Sequence, residues 1–265
     1  MYYCREEQPA LNPYHYRQQI IFDMDDTLIH CNKYFEMILS KFADVMLKWF
    51  STYRLTASEI RSKQIEIDVA GVLKTGFASK HFPQSMIETY HYFSRMTGRE
   101  ISHAEENQLM ELGMSVYEQN IEPYPGMVET LDILERQGHE LNLYTGGEKA
   151  IQERKIEQMK LASYFHDRIY IRQHKNEEAL EQILTSRHFD REHTWMIGNS
   201  LRTDIIPALT AGINTIYIKL PNEWSYNVVE LKNEPTTAMY TVSSLEEVPS
   251  IIAESIAVKQ KKRTL

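Results

Sequence analysis

The sequence predicts an α/β protein: a doubly wound parallel sheet with helices on both faces, interrupted by an all-helical insertion. Short apolar segments recur at residues 20–22, 141–144, 169–171, 195–197 and 215–218. Single amphipathic stretches of helix length separate the last four segments, and this alternation is typical of βαβ units. Between the first segment and Pro123 the pattern is helical only, so we predict an inserted helical block there.

The remaining elements of the α/β part follow from their start and stop residues. Pro125 stands before one helical stretch and Gly138 ends it, while Gly212 ends another. Pro207 is tolerated in the second of these only near its first turn. The predicted helices are residues 126–137, 148–160, 176–187 and 204–211, followed by an edge strand at 239–242 and a closing helix at 244–252.

In the inserted block, large apolar residues recur at helical spacing. Ser102 and Glu105 have the spacing of a capping box, which predicts a helix start. We therefore predict two domains, an α/β core from residues 1–30 and 120–265 and a helical domain at residues 31–119. The apolar positions are Tyr34, Phe35, Ile38, Phe42, Val45, Met46 and Trp49 in one helix, and Met86, Ile87, Tyr90 and Phe93 in another.

Composition argues against several classes of function. A net charge of −8 and a pI near 5.7 disfavour a nucleic-acid partner. There is no signal peptide and no apolar run of about 18 residues, so we expect no membrane partner and a cytoplasmic location. Cys4 and Cys31 form neither a metal-ligand spacing nor a disulfide framework. The sequence does not indicate an oligomeric state. A frayed end is predicted for the basic C-terminal residues Lys259, Lys261, Lys262 and Arg263.

The stretch FDMDDTL, residues 22–28, places two carboxylates directly after the first apolar segment. Residues two apart on an extended backbone point to the same side, so Asp23 and Asp25 repel each other unless a cation or a proton lies between them. A solvated turn is the alternative interpretation, because Asp26 and Thr27 are ordinary turn and N-cap residues. The paired carboxylates favour a functional site at the edge of the sheet.

Three further signals follow later predicted strands. Thr145, Gly146 and Gly147 come after one strand, and a hydroxyl followed by glycines at a helix start suits an anion. Lys175 follows the next strand, where a lysine is also commonly solvated. After residues 195–197 comes the sequence Gly-Asn-Ser-Leu-Arg-Thr-Asp, whose Asn199 and Asp204 could face the first two aspartates.

The order Asp-x-Asp, Thr, Lys and Gly-Asn-x-x-x-x-Asp, each after a strand, resembles the haloacid dehalogenase-like hydrolase superfamily, in particular its Mg²⁺-dependent phosphatases. The match covers residues 20–28 and 123–218. The resemblance implies a three-layered, Rossmann-like α/β core. It also implies that the helical block is a C1-type cap that closes the active site. The implied substrate is a small phosphorylated metabolite.

The resemblance implies a role for each matching residue. Asp23 would be the nucleophile that attacks phosphorus to give an aspartyl phosphate. Asp25 would protonate the leaving alcohol and then take a proton from the hydrolytic water. Thr145 and the amide of Gly146 would hold phosphoryl oxygens, and Lys175 would offset negative charge on Asp23 and the phosphoryl group.

The same resemblance implies that Mg²⁺ is the cofactor, held by Asp23, the main-chain carbonyl of Asp25, Asn199 and Asp204. The chain departs from the family pattern at Asn199, where an aspartate that commonly binds the metal is usual. Asparagine still offers a neutral oxygen, but one negative charge is missing. Which of Asn199 and Asp204 contacts the metal stays open at this point.

Three alternatives remain. A dehalogenase of the same fold needs neither a leaving-group acid at position 25 nor a metal, so Asp25 argues against it. A phosphonate hydrolase would need a cap lysine that forms a Schiff base, and Lys74 and Lys80 are available. A catalytically silent binding protein has only Asn199 as support. The segment at residues 74–83 contains two cations and two aromatics, and it is either a recognition loop for the leaving group or a surface loop.

Overall fold

The computed structural model describes residues 17–232 and 234–263. Its strands are β1 (Gln19–Phe22), β2 (Glu140–Gly146), β3 (Ile169–Arg172), β4 (Thr194–Gly198), β5 (Asn214–Ile218) and β6 (Met239–Val242). They form one sheet in the order β3-β2-β1-β4-β5-β6, and every pairing is parallel. The predicted parallel sheet is therefore confirmed.

Helices cover both faces of this sheet, which gives three layers. Ile20 and Phe22 of β1 point into one apolar cluster and Ile21 into the other, as expected for alternating side chains of a strand buried on both faces. The helices are α5 (Met127–Arg136), α6 (Lys149–Gln158), α7 (Ala162–Phe165) and α10 (Val248–Arg263) on the first face, and α8 (Glu177–Ser186) and α9 (Ile206–Thr210) on the second.

Two predictions near the C-terminal part are corrected. The helix predicted at residues 204–211 begins with a π-helical turn, Leu201–Ile205, whose first turn is capped by the Ser200 hydroxyl accepting from the Thr203 amide. The basic tail is not frayed through Arg263, because α10 continues to that residue. The helix packs Val248 and Ile252 against the sheet, and Lys259 donates to the backbone oxygen of Glu192.

Between residues 32 and 118 the described chain is helical, and we call this region the insertion. It contains α1 (Asn32–Trp49), α2 (Ala57–Thr75), α3 (His81–Thr97), α4 (His103–Met114) and a 3₁₀ turn, Ser115–Glu118. The insertion has an apolar core of its own, formed mainly by α1 and α3.

The predicted start of α4 at Ser102 is right, but the capping box is not formed. Glu105 instead accepts hydrogen bonds from Arg99 and Tyr90. A capping box is formed at the start of α2, between Thr56 and Glu59.

The two chain segments that enter and leave the insertion run side by side. Ile29 bridges Pro123, and the His30 amide donates to the Glu122 carbonyl at 2.9 Å. The insertion thus emerges at the carboxyl end of β1. In residues 17–232 and 234–263, no helix is long and apolar enough to cross a membrane. Cys31 is a free thiol, and Cys4 lies outside the described residues.

Candidate active site

The direction in which the chain adds strands to the sheet reverses between β1 and β4, the two central and parallel strands. From β1 the chain builds the sheet outward through β2 and β3, and from β4 it builds outward through β5 and β6. A crevice opens at the carboxyl ends of the strands at such a switch point. Asp23 lies there, with its amide donating to the Ile197 carbonyl of β4 at 2.9 Å. Asp23 is thereby fixed by backbone pairing.

Lys175 lies between two aspartates in this crevice. Its Nζ is 2.5 Å from Oδ1 of Asp23 and 2.5 Å from Oδ1 of Asp204. Lys175 comes from the loop after β3, where Asn176 accepts from the Ala179 amide and so starts α8. Its side chain is buried, so the solvated interpretation of this lysine is wrong.

Burial and mutual attraction oppose each other in this group. Burial raises the pKa of Asp23; the nearby Asp204 raises it further, and Lys175 pulls it down. Burial alone would lower the pKa of Lys175, but Asp204 and Asp23 outweigh it, and the pKa lies above its ordinary value. The ammonium therefore stays charged and holds both carboxylates toward the crevice.

The Asp25 carboxylate is held by two residues that the sequence analysis did not single out. Lys155 donates to Oδ1 at 2.7 Å, and Gln152 donates to Oδ2 at 2.8 Å. Both lie on α6, one turn apart, and both are buried. Burial lowers the pKa of Lys155, but Asp25 and Cys31 more than offset it and raise that pKa. A pair of polar residues three apart on one helix face was the available signal.

Gln152 also connects Asp25 to the end of β2. Its Nε2 lies 2.7 Å from Thr145 Oγ1 and 2.8 Å from the Gly146 carbonyl. Thr145 is fully buried, while Gly146 faces the insertion. A Cβ at Gly146 would stand 2.8 Å from the ring of Phe77, so the close approach of the insertion requires glycine at this position.

Asn199 and Asp204 follow β4 but are engaged differently. Asp204 forms an ion pair with Lys175 through Oδ1 and accepts a hydrogen bond from the Ser200 amide through Oδ2 at 2.9 Å. Among the described residues, the Asn199 oxygen accepts a hydrogen bond from the Thr27 hydroxyl alone, at 3.4 Å. A Cβ at position 198 would lie 2.2 Å from Asp204 Oδ2, which explains the glycine there.

The oxygen donors around this point suit a hard cation such as Mg²⁺. Asp23, Asn199 and Asp204 line one cavity and carry only oxygen donors or an amide. Within the described part of the chain, no group of three or more His, Cys, Asp or Glu residues is arranged to hold a metal by itself. A cation here would therefore depend on the Asn199 oxygen, on main-chain oxygen or on substrate oxygens as well.

Asp26 has a separate, structural position. Its carboxylate accepts from the backbone amides of Cys31 and Asn32 at 2.9–3.0 Å, which caps the start of α1 as its sequence position predicts. Its φ of 60° places it in the left-handed region, which aspartate tolerates. Burial raises the pKa of Asp26 to about 6, and the two amides oppose that rise.

A cavity of about 350 Å³ joins these residues to the insertion. Several hydrogen bonds fasten the insertion beside it; among them, Glu148 accepts from the Ser79 amide at 2.8 Å, and the Phe77 amide donates to the Gln173 carbonyl at 3.0 Å. All the predicted site residues except Thr145 line this cavity. Lys74 and Lys80 are exposed and do not line it.

The chain belongs to the haloacid dehalogenase-like hydrolases, because the model of that family matches residues 20–218. No curated protein sequence matches the chain. Solved structures of the same fold do. A haloacid dehalogenase-like family hydrolase from Xanthomonas campestris shares 24% identity with a TM-score of 0.73, covering 92% of this chain and 98% of its own.

Two other structures show the breadth of the fold. YfnB from Bacillus subtilis, bound to magnesium, is 20% identical with a TM-score of 0.57, over 89% of this chain and 99% of its own. A predicted phosphoglycolate phosphatase from Haemophilus somnus is 15% identical with a TM-score of 0.57, over 91% of this chain and 99% of its own. Dehalogenases also match. These likenesses establish the fold, and structures described as phosphatases and as dehalogenases both occur among the matches.

Proposed function

We propose that the protein is a Mg²⁺-dependent phosphatase that hydrolyses phosphate monoesters of small metabolites through an aspartyl phosphate. The observation that carries this proposal is the second carboxylate. Asp25 lines the same cavity as Asp23 and is held by Lys155 and Gln152. An alkoxide leaving group needs an acid beside it, whereas displacement of a halide needs none. A dehalogenase is therefore the weaker candidate.

In the first step, one Asp23 oxygen attacks phosphorus and the bond from phosphorus to the alcohol oxygen breaks. Asp25 gives its proton to that departing oxygen. In the second step, a water attacks the phosphorus of the aspartyl phosphate while Asp25 takes a proton from it, and the bond to Asp23 breaks to release phosphate. The proton that Asp25 gives in the first step is thus restored to it in the second.

The other residues position the phosphoryl group and balance its charge. Thr145 and the Gly146 amide would bind phosphoryl oxygens at the end of β2. Lys175, buried between Asp23 and Asp204, would attract both the nucleophile and the developing negative charge. The insertion would act as a cap that excludes water during the reaction and opens for product release.

Asp23, Asn199 and the main-chain carbonyl of Asp25 would hold Mg²⁺. Asp204, both of whose oxygens already accept hydrogen bonds or an ion pair, would act mainly by orienting Lys175. The cation, when bound, would supply Lewis-acid polarisation of the phosphoryl oxygens. The magnesium-bound relative supports this choice of ion.

The test is phosphate release from p-nitrophenyl phosphate with and without Mg²⁺, beside halide release from a 2-haloacid. We expect Mg²⁺-dependent phosphate release and no halide release. Halide release without phosphate release would establish the dehalogenase instead, and absence of both would support a silent binding protein. A phosphonate hydrolase using Lys74 or Lys80 is disfavoured by the exposure of both lysines.

A further inference from the structure

The half of the cavity that the insertion provides is lined by aromatic rings. Phe35 of α1 packs edge-on against Phe82 of α3 with 4.8 Å between ring centroids. On the other side, Phe77 of the insertion lies near Trp224, a residue of the α/β core between β5 and β6, with 6.4 Å between their centroids. All four rings line the cavity. A flat or apolar leaving group would therefore find ring faces and edges on two sides.

The same half contains carboxylates but no available lysine or arginine. Of the described residues that line the cavity, the lysines are Lys155 and Lys175, and both are paired with carboxylates at the sheet edge. A leaving group with a second acidic group would thus meet negative potential and no free ammonium or guanidinium. Binding it would cost free energy through desolvation and like-charge repulsion.

Asp68 is the carboxylate in this half that has no salt bridge among the described residues. It projects from α2, lines the cavity and is 7% exposed. Glu36, the neighbouring carboxylate on α1, is instead paired with Arg61. Burial raises the pKa of Asp68 to about 6, while His81 and Ser85 lower it. His81, which lines the same cavity, and the Ser85 hydroxyl offset part of the cost of burying this carboxylate, and a ligand ammonium in the cavity would offset more of it.

We propose that Asp68 binds a positively charged group on the leaving alcohol, and that the physiological substrate is a phosphate monoester of an amine-bearing, ring-containing alcohol. This inference rests on the proposed function, because the leaving group is defined only by phosphate ester hydrolysis. The ring would lie between the aromatic walls, and the ammonium would contact Asp68. Phosphate esters that carry a carboxylate would be rejected.

The experiment compares three aryl phosphates that differ only in the para substituent: aminomethyl, hydroxymethyl and carboxymethyl. A methylene separates the charge from the ring, so the phenols leave with similar ease. We expect kcat/KM for phosphate release to fall in that order, with about tenfold between the first and last compounds. Phosphoglycolate, with its carboxylate, should be a poor substrate.

Asp68→Asn removes the charge and keeps the size of the side chain. We expect it to abolish the advantage of the aminomethyl compound, mainly through KM, and to leave p-nitrophenyl phosphate turnover within about twofold of the parent. Glu36→Gln is the matched control, because it removes a cavity carboxylate that Arg61 already neutralises, and its substrate ranking should be unchanged.

Several outcomes would overturn the inference. They are a carboxymethyl compound hydrolysed as well as the aminomethyl one, a hydroxymethyl compound preferred to both, or an unchanged ranking in Asp68→Asn. With p-nitrophenyl phosphate still hydrolysed, these results would leave the phosphatase assignment intact. Failure to hydrolyse any phosphate ester with Mg²⁺ would instead refute the proposed function, and the inference with it. Calorimetry with 4-hydroxybenzylamine and 4-hydroxyphenylacetate adds a binding measurement that needs no turnover.

Discussion

The two halves of the cavity differ in whether their buried carboxylates form salt bridges. In the half at the carboxyl ends of the strands, which we call the sheet edge, Asp23 pairs with Lys175 and Asp25 with Lys155. The nitrogen-to-oxygen distances are 2.5 and 2.7 Å. In the insertion, Asp68 is equally buried but has no salt bridge within the described chain. Paired charges fix a geometry, whereas an unpaired buried charge is available to a ligand. Under the proposed function, the sheet edge would carry out the reaction and the insertion would select the leaving group.

The two halves also differ in how they are held. Asp23 and Asp204 follow strands whose backbone pairs with a neighbour on both sides, so their positions vary little with side-chain packing. The insertion contacts the sheet edge through a few contacts, among them Ser79 with Glu148 and Phe77 over Gly146. Substitutions at the sheet edge should consequently change the chemical step, and those in the insertion should change substrate choice.

The most severe test of the sheet-edge half is Asp23→Asn. The amide is a poor nucleophile for phosphorus, so turnover should fall by at least about a thousandfold. Phosphate release from p-nitrophenyl phosphate measures it, and circular dichroism checks that the protein stays folded. Activity within tenfold of the parent in a folded variant would exclude Asp23 as the nucleophile.

Lys155→Met tests whether the Asp25 carboxylate must be held in place. We expect kcat to fall by about a hundredfold for an alkyl phosphate, whose alkoxide needs a proton, and much less for p-nitrophenyl phosphate. Lys155→Arg should restore part of the loss. Lys149→Met is the control on the same helix, since Lys149 is exposed and forms a surface ion pair with Glu153. An equal loss with both leaving groups would show that Lys155 does not act through Asp25.

The sequence predicted the sheet-edge half better than the insertion half. Asp23, Thr145, Lys175 and Asp204 each follow an apolar strand, and parallel strands bring their carboxyl ends to one edge whatever the packing. Lys155 was missed because it lies 130 positions from Asp25 in the sequence, on a mostly polar helix. The spacing of Gln152 and Lys155 places them on one face of the helix, but it does not indicate that this face turns toward Asp25.

In the insertion, the inward-facing polar residues were even harder to predict from the sequence. Its helices were predicted from α1 and α3, where apolar residues recur at helical spacing, and these two helices form most of its apolar core. In α2 the buried positions include Gln64 and Asp68, so apolar spacing could not identify its inward face. Polar residues that line a cavity interrupt the helical spacing of apolar residues from which buried positions are predicted.

Asp68→Asn should also reveal the cost of the unpaired carboxylate in the free energy of unfolding. The folded-state pKa of Asp68, about 6, lies above the ordinary value of 3.8, so ionisation favours the unfolded chain. The parent should lose stability as pH rises from 4 to 6, and the loss should persist above that range. At pH 7 the variant should be more stable by about 1–3 kcal/mol, with the difference vanishing below pH 4. Urea unfolding at several pH values measures this, and a constant difference would contradict the assignment.

Asn199→Asp sharpens the comparison at the metal site itself. A further carboxylate where only the Thr27 hydroxyl now approaches should strengthen attraction for Mg²⁺. At an effective dielectric constant near 20, and with retained waters screening the charge, we expect the binding free energy of Mg²⁺ to become more favourable by about 1–2 kcal/mol. This change would be seen as a lower half-saturating Mg²⁺ concentration. Asn227→Asp adds the same charge elsewhere in the cavity and serves as the control.

The two variants separate a direct ligand from a general field. If both lower the Mg²⁺ requirement equally, the effect comes from net charge in the cavity, and position 199 has no special role. If only Asn199→Asp does so, its side chain contacts the ion, and Asp204 remains the partner of Lys175. An unchanged or higher requirement in Asn199→Asp would make Asp204 the ligand. In that case Mg²⁺ would have to displace the Lys175 ammonium from Asp204, and the orientation of Lys175 would differ between the metal-free and metal-bound protein.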